Sequence, residues 1–334
     1  MLWKGLEEKL QQFAVVLVLF HSVTFLTKCT QLVADILQSL LLGQQSIERG
    51  AKNVAFFLIT EDAHFVPLEI VVDERLIKPY NTIINMLSQE TAWLLAEKYH
   101  GEKSPAFFTD ISRLEAGEPL AYVIGHIPFL NTTISLTSRP LIPRPETEYW
   151  TAKVIADIEQ LTATKNPLVL DLCAGSGAIG VAIAKAVPQS LVHFIELESS
   201  HLPTIALNCR QNGVVPERVH ILTGNLFQTK EALPRFDVIV TNPPYIDPIL
   251  DRTEDSVKGF EPEVALYGGK DGLELISKII LTAPNFLVPG GSLYIEHEPE
   301  QSKVIQELAH NTFIVTTHQD QYNLERYTKL VLQY

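Results

Sequence analysis

Cysteine is scarce in this chain, with three residues in 334, at Cys29, Cys173 and Cys209, and no CxxC pair among them. That spacing offers neither a zinc site nor a disulfide framework, and it fits a reducing cytoplasm. Basic charge is scarce too. Lys and Arg number 26 against 39 Asp and Glu, a net charge of −13. This balance argues against a protein that grips duplex DNA through a broad basic face, and no direct nucleic-acid binding is expected. A membrane-length apolar run is also missing. The most apolar stretch, FAVVLVLF from Phe13, extends to Leu26, about 14 residues, short of the roughly 20 that a spanning helix needs. Glu7 and Glu8 precede it and no small-residue cleavage site follows closely, so a buried helix is expected over a signal peptide or membrane element. The ten histidines are scattered without a ligand constellation, and no metal is expected.

What is present is enough apolar material, 46% of residues, and enough length for two domains. Residues 1–70 carry no chemical motif and read as an extension of uncertain structure. From about Asp73 to Leu114 the apolar spacing is helical, with Gly101 as a C-cap, which predicts a small helical domain over 71–116. The stretch 117–145 turns to alternating apolar residues, a β-hairpin connector, and ends in SRPLIPRPETE, whose prolines require an ordered turn. Pro145 suits the first turn of a helix running to about Leu161. From Pro167 the pattern is strand, helix, strand, helix: LVLDLC, AIGVAIAKAV, LVHFIE, LPTIALNCRQNG, VHILTG, FDVIVT, GLELISKIILTAPNFL, GSLYIEHE. Unbroken apolar strands alternating with helices imply a parallel sheet covered on both faces. The two final strands close it with an antiparallel hairpin, so residues 146–334 read as one doubly wound domain.

The first βα turn is DLCAGSGAIG, with Gly175, Gly177 and Gly180 in the GxGxxG spacing. Glycine lets the backbone approach a ligand, and the helix N-terminus supplies donors. Glu196 ends the next strand, placed to accept from ribose hydroxyls. These features alone suit a dinucleotide as well as a nucleoside. Asp171, four residues before Gly175, would repel a pyrophosphate but suits a cationic ligand. The combination resembles the cofactor loop of class I S-adenosylmethionine methyltransferases, whose cofactor carries a sulfonium and an ammonium and no phosphate. By that resemblance Asn225 lies beside the adenine, where the family more often has Asp.

The fourth strand runs into Asn242-Pro243-Pro244-Tyr245. Proline cannot continue a ladder, so the strand stops at about Thr241. A planar amino group shares its lone pair with a π-system and is a poor nucleophile. The Asn242 side-chain oxygen and the Pro243 carbonyl can each accept one N–H and turn that lone pair toward a methyl donor. Tyr245 can stack on a planar substrate.

The segments RLEAGEPLAYVIGHIPF, LIPRPETE, PEVALYGGKDGLELISKII, LVPGGSLYIEHEPEQ and NLERYTKLVL then resemble the HemK family, the glutamine methyltransferases of peptide chain release factors, over roughly residues 75–334. The resemblance implies a class I S-adenosylmethionine-dependent methyltransferase fold, a Rossmann-like seven-stranded sheet with a small helical N-terminal domain that recognises the release factor. It implies S-adenosyl-L-methionine as cofactor, held by Asp171, Cys173, Ala174, Gly175, Ser176, Gly177, Glu196, Asn225, Leu226 and Asn242. It implies that Asn242, Pro243, Pro244 and Tyr245 hold the substrate glutamine of a Gly-Gly-Gln motif. Arg144 and Glu146 either line the cleft floor or order their loop through an internal salt bridge. Cys173 and Ala174 stand where the family commonly has Gly and Thr, and Glu298 where it commonly has Gly. A ribosomal-protein glutamine methyltransferase and an amino-group methyltransferase of DNA or RNA bases are the alternatives. A cytoplasmic monomer is expected, with an organellar form sharing the same motifs.

Overall fold

The computed structural model describes residues 53–59, 65–71, 89–224, 233–250 and 255–333. The readings of Phe13–Leu26 and of Asn225 and Leu226 lie outside these residues. The chain divides into two units, Met1–Ala116 and Gly117–Tyr334.

In the first unit, β1 (Asn53–Ile59) and β2 (Phe65–Val71) pair antiparallel in a hairpin that the sequence pattern did not suggest. Helix α1 covers residues 89–97, and the Gly101 N–H bonds back to the Leu95 carbonyl at φ +90°. Helix α2 (Pro105–Glu115) starts at Ser104, whose side chain accepts the Phe107 N–H, with proline in the first turn where a missing donor costs nothing. The buried Asp110 carboxylate joins the two helices by accepting from Lys98, Tyr99 and Arg113 at 2.7–2.8 Å.

The second unit holds α3 (Leu120–Ile124), then the hairpin β3 (His126–Phe129) and β4 (Thr132–Ser135), then α4 (Pro145–Leu161). Next come β5 (Leu168–Leu172), α5 (Ala178–Ala186), β6 (Leu191–Glu196), α6 (Leu202–Gln211), β7 (Val219–Thr223) and β8 (Phe236–Thr241). It closes with α7 (Glu274–Thr282), β9 (Leu287–Glu296), α8 (Ser302–Ala309), β10 (Phe313–Gln319) and β11 (Glu325–Leu332). Sheet order is β10-β11-β9-β8-β5-β6-β7, with β11 antiparallel to both its neighbours. This is the class I S-adenosylmethionine methyltransferase architecture.

Side chains alternate across the sheet, so each central strand feeds two cores. Val169, Val238 and Tyr294 pack with Trp150, Val154 and Ile158 of α4 and with α5. Leu170, Ile239 and Leu293 pack on the other face with Ile276 and Ile279 of α7 and Ile305 of α8. Each such fully buried side chain contributes about 1.5–3 kcal/mol, and removing any one from both faces of β5 would be felt at the loop it carries. Helix α7 ends earlier than its apolar pattern suggests, because Pro284 turns the chain at residues 283–285 and β9 starts before its glycines. Among the described residues no helix is long and apolar enough to cross a membrane, and no group of three or more His, Cys, Asp or Glu could hold a metal ion.

Candidate active site

Strand order reverses between β5 and β8, and open α/β sheets bind ligands outside the carboxyl ends of strands flanking such a point. A cleft of about 240 Å³ opens there. Its walls are the loop after β5, the ends of β6 and β8, the start of α4 and one side of α7.

The loop after β5 enters the left-handed region three times in five residues, at Cys173 (φ 60°), Gly175 (φ 55°) and Gly177 (φ 78°). Glycine adopts this freely, whereas Cys173 is strained there. A methyl group added at Gly175 would meet nothing within 4 Å, so this is the loop's open side. At Gly180 the same addition would meet the Phe194 ring at 2.4 Å and Asp171 Oδ2 at 2.9 Å. The third glycine of the motif therefore serves helix–strand packing rather than ligand approach.

Cys173, Ala174, Gly175, Ser176 and Glu196 all line the cleft. Glu196 is tied into the loop: Oε2 accepts the Gly175 N–H at 2.7 Å and Oε1 the Glu198 N–H at 2.8 Å. Each oxygen keeps a second lone pair for a ligand. Asp171 sits differently from the expectation of direct contact. It lies beneath the loop, with Oδ2 accepting the Gly180 N–H at 2.8 Å and Oδ1 without a partner among the described residues. Burial pushes its carboxyl up to about 8, and Glu196 adds to that push.

These residues fit S-adenosyl-L-methionine. The open face over Gly175 leaves room for a nucleoside, Glu196 offers acceptors to ribose, and the walls formed by Leu172, Ile179, Ile195 and Leu197 are apolar. Beneath the loop, the buried Asp171 carboxyl offers a phosphate no positive counter-charge.

Strand β8 stops at Thr241, and Asn242 and Pro244 line the cleft. Pro243 is buried. The loop's backbone is clamped from behind. Gln301 Nε2 donates to the Tyr245 carbonyl at 2.8 Å, and Ile246 bridges to Tyr267. Gly268 and Gly272 permit that approach, since a Cβ on either would lie within 2.5 Å of the Pro244 or Tyr245 carbonyl oxygen. Tyr245 departs from its expected stacking role. Its ring packs against the core beside α7 and its hydroxyl donates inward to Glu296 Oε1 at 3.0 Å.

Arg144 and Glu146 are not among the cleft walls, which are formed by Leu141, Pro143 and Thr147 instead. Arg144 Nη2 meets Glu261 Oε1 at 2.6 Å, and Glu261 Oε2 accepts the Ile142 N–H at 2.9 Å. The salt bridge orders the proline-rich turn and pins it to the segment carrying Pro262 and Val264, which close the cleft's rim. Glu298 needs no glycine conformation, since it caps the following turn at φ −73° and meets Arg326 Nη1 at 3.4 Å.

Sequence reasoning missed Thr147, Glu261, Glu296 and Gln301. IPRPETE and EHEPEQ contain three of them, but nothing local says what they touch. Asn208, fully buried, was missed too: its Nδ2 donates to the Ser176 carbonyl at 2.8 Å and its Oδ1 accepts the Ser135 N–H at 2.8 Å, tying the hairpin to the glycine loop.

A family model described as "Methyltransferase small domain" matches residues 155–257, spanning both loops. The chain is 36% identical over 210 residues to a release factor glutamine methyltransferase of Rhodopirellula baltica, covering 62% of this chain and 71% of that one. It is 34% identical over 237 residues to one of Bordetella pertussis, covering 70% and 86%. It is also 35% identical over 203 residues to a 4-amino-L-phenylalanine/4-methylamino-L-phenylalanine methyltransferase of Streptomyces pristinaespiralis, covering 59% and 67%.

Proposed function

We propose the reaction from one premise: the chain belongs to the release factor glutamine methyltransferase family. It is an S-adenosylmethionine-dependent enzyme that methylates the side-chain amide nitrogen of the glutamine in a release factor's Gly-Gly-Gln motif.

The observation that carries this reading is Asn242 at the end of β8, facing the cleft beside the glycine loop. The cofactor, when bound, supplies an electrophilic methyl group on a sulfonium. Everything else falls to this chain. Asn242 Oδ1 and the Pro243 carbonyl each accept one N–H of the substrate amide, so the nitrogen's lone pair turns out of conjugation toward the methyl. Positive charge developing on that nitrogen is stabilised by the same two acceptors. No general base is required, because the nitrogen becomes acidic once methylated. Glu196 holds ribose hydroxyls, and Asn225 and Leu226 border the adenine. Asp171 supports the loop from below. Arg144 acts by ordering the turn through Glu261, and Tyr245 by anchoring the substrate loop.

The acidic balance of the chain favours a protein substrate over nucleic acid. Residues 71–116 serve as the recognition unit for the release factor, and the enzyme works as a cytoplasmic monomer. A relative acting on 4-amino-L-phenylalanine makes a small planar amine the second reading.

Transfer of labelled methyl from S-adenosylmethionine tests the proposal, using purified release factor, its Gly-Gly-Ala variant, bulk nucleic acid and 4-aminophenylalanine as acceptors. Label on the wild-type factor, lost in the variant, is the expected result. Label on nucleic acid or the small amine alone would overturn the protein substrate while leaving the amino-group chemistry standing.

A further inference from the structure

An amide side chain looks the same to its neighbours in shape whichever way its two ends point, so something must set which end of Asn242 faces the substrate. Asn242 Nδ2 lies 3.3 Å from Thr147 Oγ1. The Thr147 hydroxyl in turn donates to Glu296 Oε2 at 2.7 Å. The same Oε2 receives Trp150 Nε1–H at 2.6 Å. An indole N–H is a donor only, and Oε1 takes the Tyr245 hydroxyl at 3.0 Å, so three donors converge on Glu296 as an ionised carboxylate, which accepts at both oxygens. Glu296 is 1% exposed and Thr147 2%, so water does not supply substitute partners. The direction of every hydrogen in this chain is then fixed. Trp150 makes Glu296 Oε2 accept, Oε2 takes the Thr147 hydroxyl hydrogen, and the Thr147 oxygen is left to accept from Asn242. The NH₂ end of Asn242 must point at Thr147. Its Oδ1 has no partner among the described residues and belongs to the cleft that Asn242 lines.

We propose that Thr147, oriented by the buried Glu296 and Trp150, is a positioning residue for methyl transfer: its hydroxyl holds the Asn242 amide with the oxygen toward the substrate. The inference rests on the reading of Asn242 as an acceptor for the substrate N–H. Without the hydroxyl, an Nδ2 facing Thr147 loses its partner. The amide then prefers to turn its NH₂ to the wet cleft, where a donor faces the substrate's own donor.

The test compares Thr147→Val, which keeps volume and removes the hydroxyl, with Thr147→Ser, which keeps the hydroxyl and loses the methyl. Single-turnover methylation of a release factor is measured together with the dissociation constant of S-adenosylmethionine and the thermal midpoint, beside Asn242→Ala. The valine variant is expected to lower kcat about tenfold to a hundredfold, the size of one buried hydrogen-bond preference. Cofactor affinity and the release factor's KM should stay within about twofold, and serine should restore most of the turnover. A packing role predicts the opposite order, with valine tolerated and serine impaired, and that result would overturn the proposal. Thr147→Ala replaces the valine variant should the latter not fold. If Asn242→Ala itself turns over normally, the acceptor reading falls and this proposal with it. If Asn242→Ala is inactive while Thr147→Val is not, only the positioning role is refuted.

Discussion

Two carboxylates show how much placement changes the meaning of a residue. Glu196 ends β6 and Asp171 is the penultimate residue of β5, both beside the glycine loop. Yet Glu196 lines the cleft with two backbone donors on it, and Asp171 lies fully buried with one oxygen unpaired. Glu196→Ala removes an acceptor for ribose and two loop contacts together. It should weaken S-adenosylmethionine binding by tenfold or more, roughly the cost of losing hydrogen bonds to a charged group, as read by calorimetry. An unchanged isotherm would remove Glu196 from the site. Which strand ends carry acid was legible from the alternation of apolar runs alone, as was the stop at Thr241. The partners of Glu296 and Glu261 were not. Thr147 is 149 residues from Glu296 in sequence and Ile142 is 119 from Glu261. Pairings of that span leave no periodicity to read, because they exist only once the fold has brought α4 to the end of β9 and the proline-rich turn to the segment after β8. Tyr245 was misjudged for the same reason, since its hydroxyl answers a carboxylate on a distant strand.

At the scale of the element, the βα turn divides its glycines between two tasks. Gly175 faces open space and Gly180 faces the Phe194 ring. The motif's spacing is the same either way, so the sequence announces the turn but not the division. Alanine separates the two. Gly180→Ala should lower stability by about 1–3 kcal/mol through overpacking, seen as a drop in the denaturation midpoint. Gly175→Ala should cost about 1 kcal/mol of backbone strain and leave the fold intact, while its methyl intrudes on the cofactor and raises the dissociation constant. An unchanged dissociation constant for Gly175→Ala would refute the division. The loop after β8 follows the same logic from the other side. Gly268 and Gly272 are there to let backbone meet the Pro244 and Tyr245 carbonyls, a closeness no local pattern encodes.

For the whole molecule, buried histidines make stability depend on pH. Burial pulls His297 down to about 4, and the ring is fixed neutral: Nδ1 faces the Glu298 carbonyl, an acceptor, and Nε2 faces the Thr328 hydroxyl at 2.8 Å. Burial and the neighbouring His220 pull His193 down to about 4 as well. Between pH 4 and about 6.5 the unfolded chain binds these protons and the native one does not. Their contribution is therefore present above about 6.5 and is lost as pH falls toward 4. Asp171, raised to about 8, acts in the opposite sense, favouring the native state at lower pH. His297→Gln, which can donate to Glu298 and accept from Thr328 without titrating, should flatten the fall in thermal midpoint between pH 6.5 and 4.5. An unchanged slope would show that His297 is not its source. The doubly wound sheet itself was readable because five apolar strands alternate with helices. The hairpin β1–β2 was not, since Asn53–Ile59 and Phe65–Val71 are apolar runs of a length that helix and strand share.

The central claim is that β8 ends as an acceptor for a substrate amide, and Asn242→Ala tests it most directly. Turnover of a release factor under single-turnover conditions should fall by orders of magnitude, while the dissociation constant for S-adenosylmethionine stays near that of the unaltered enzyme. Methylation within a few-fold of the unaltered enzyme would contradict the account, because the amide would then have been held by something other than Asn242.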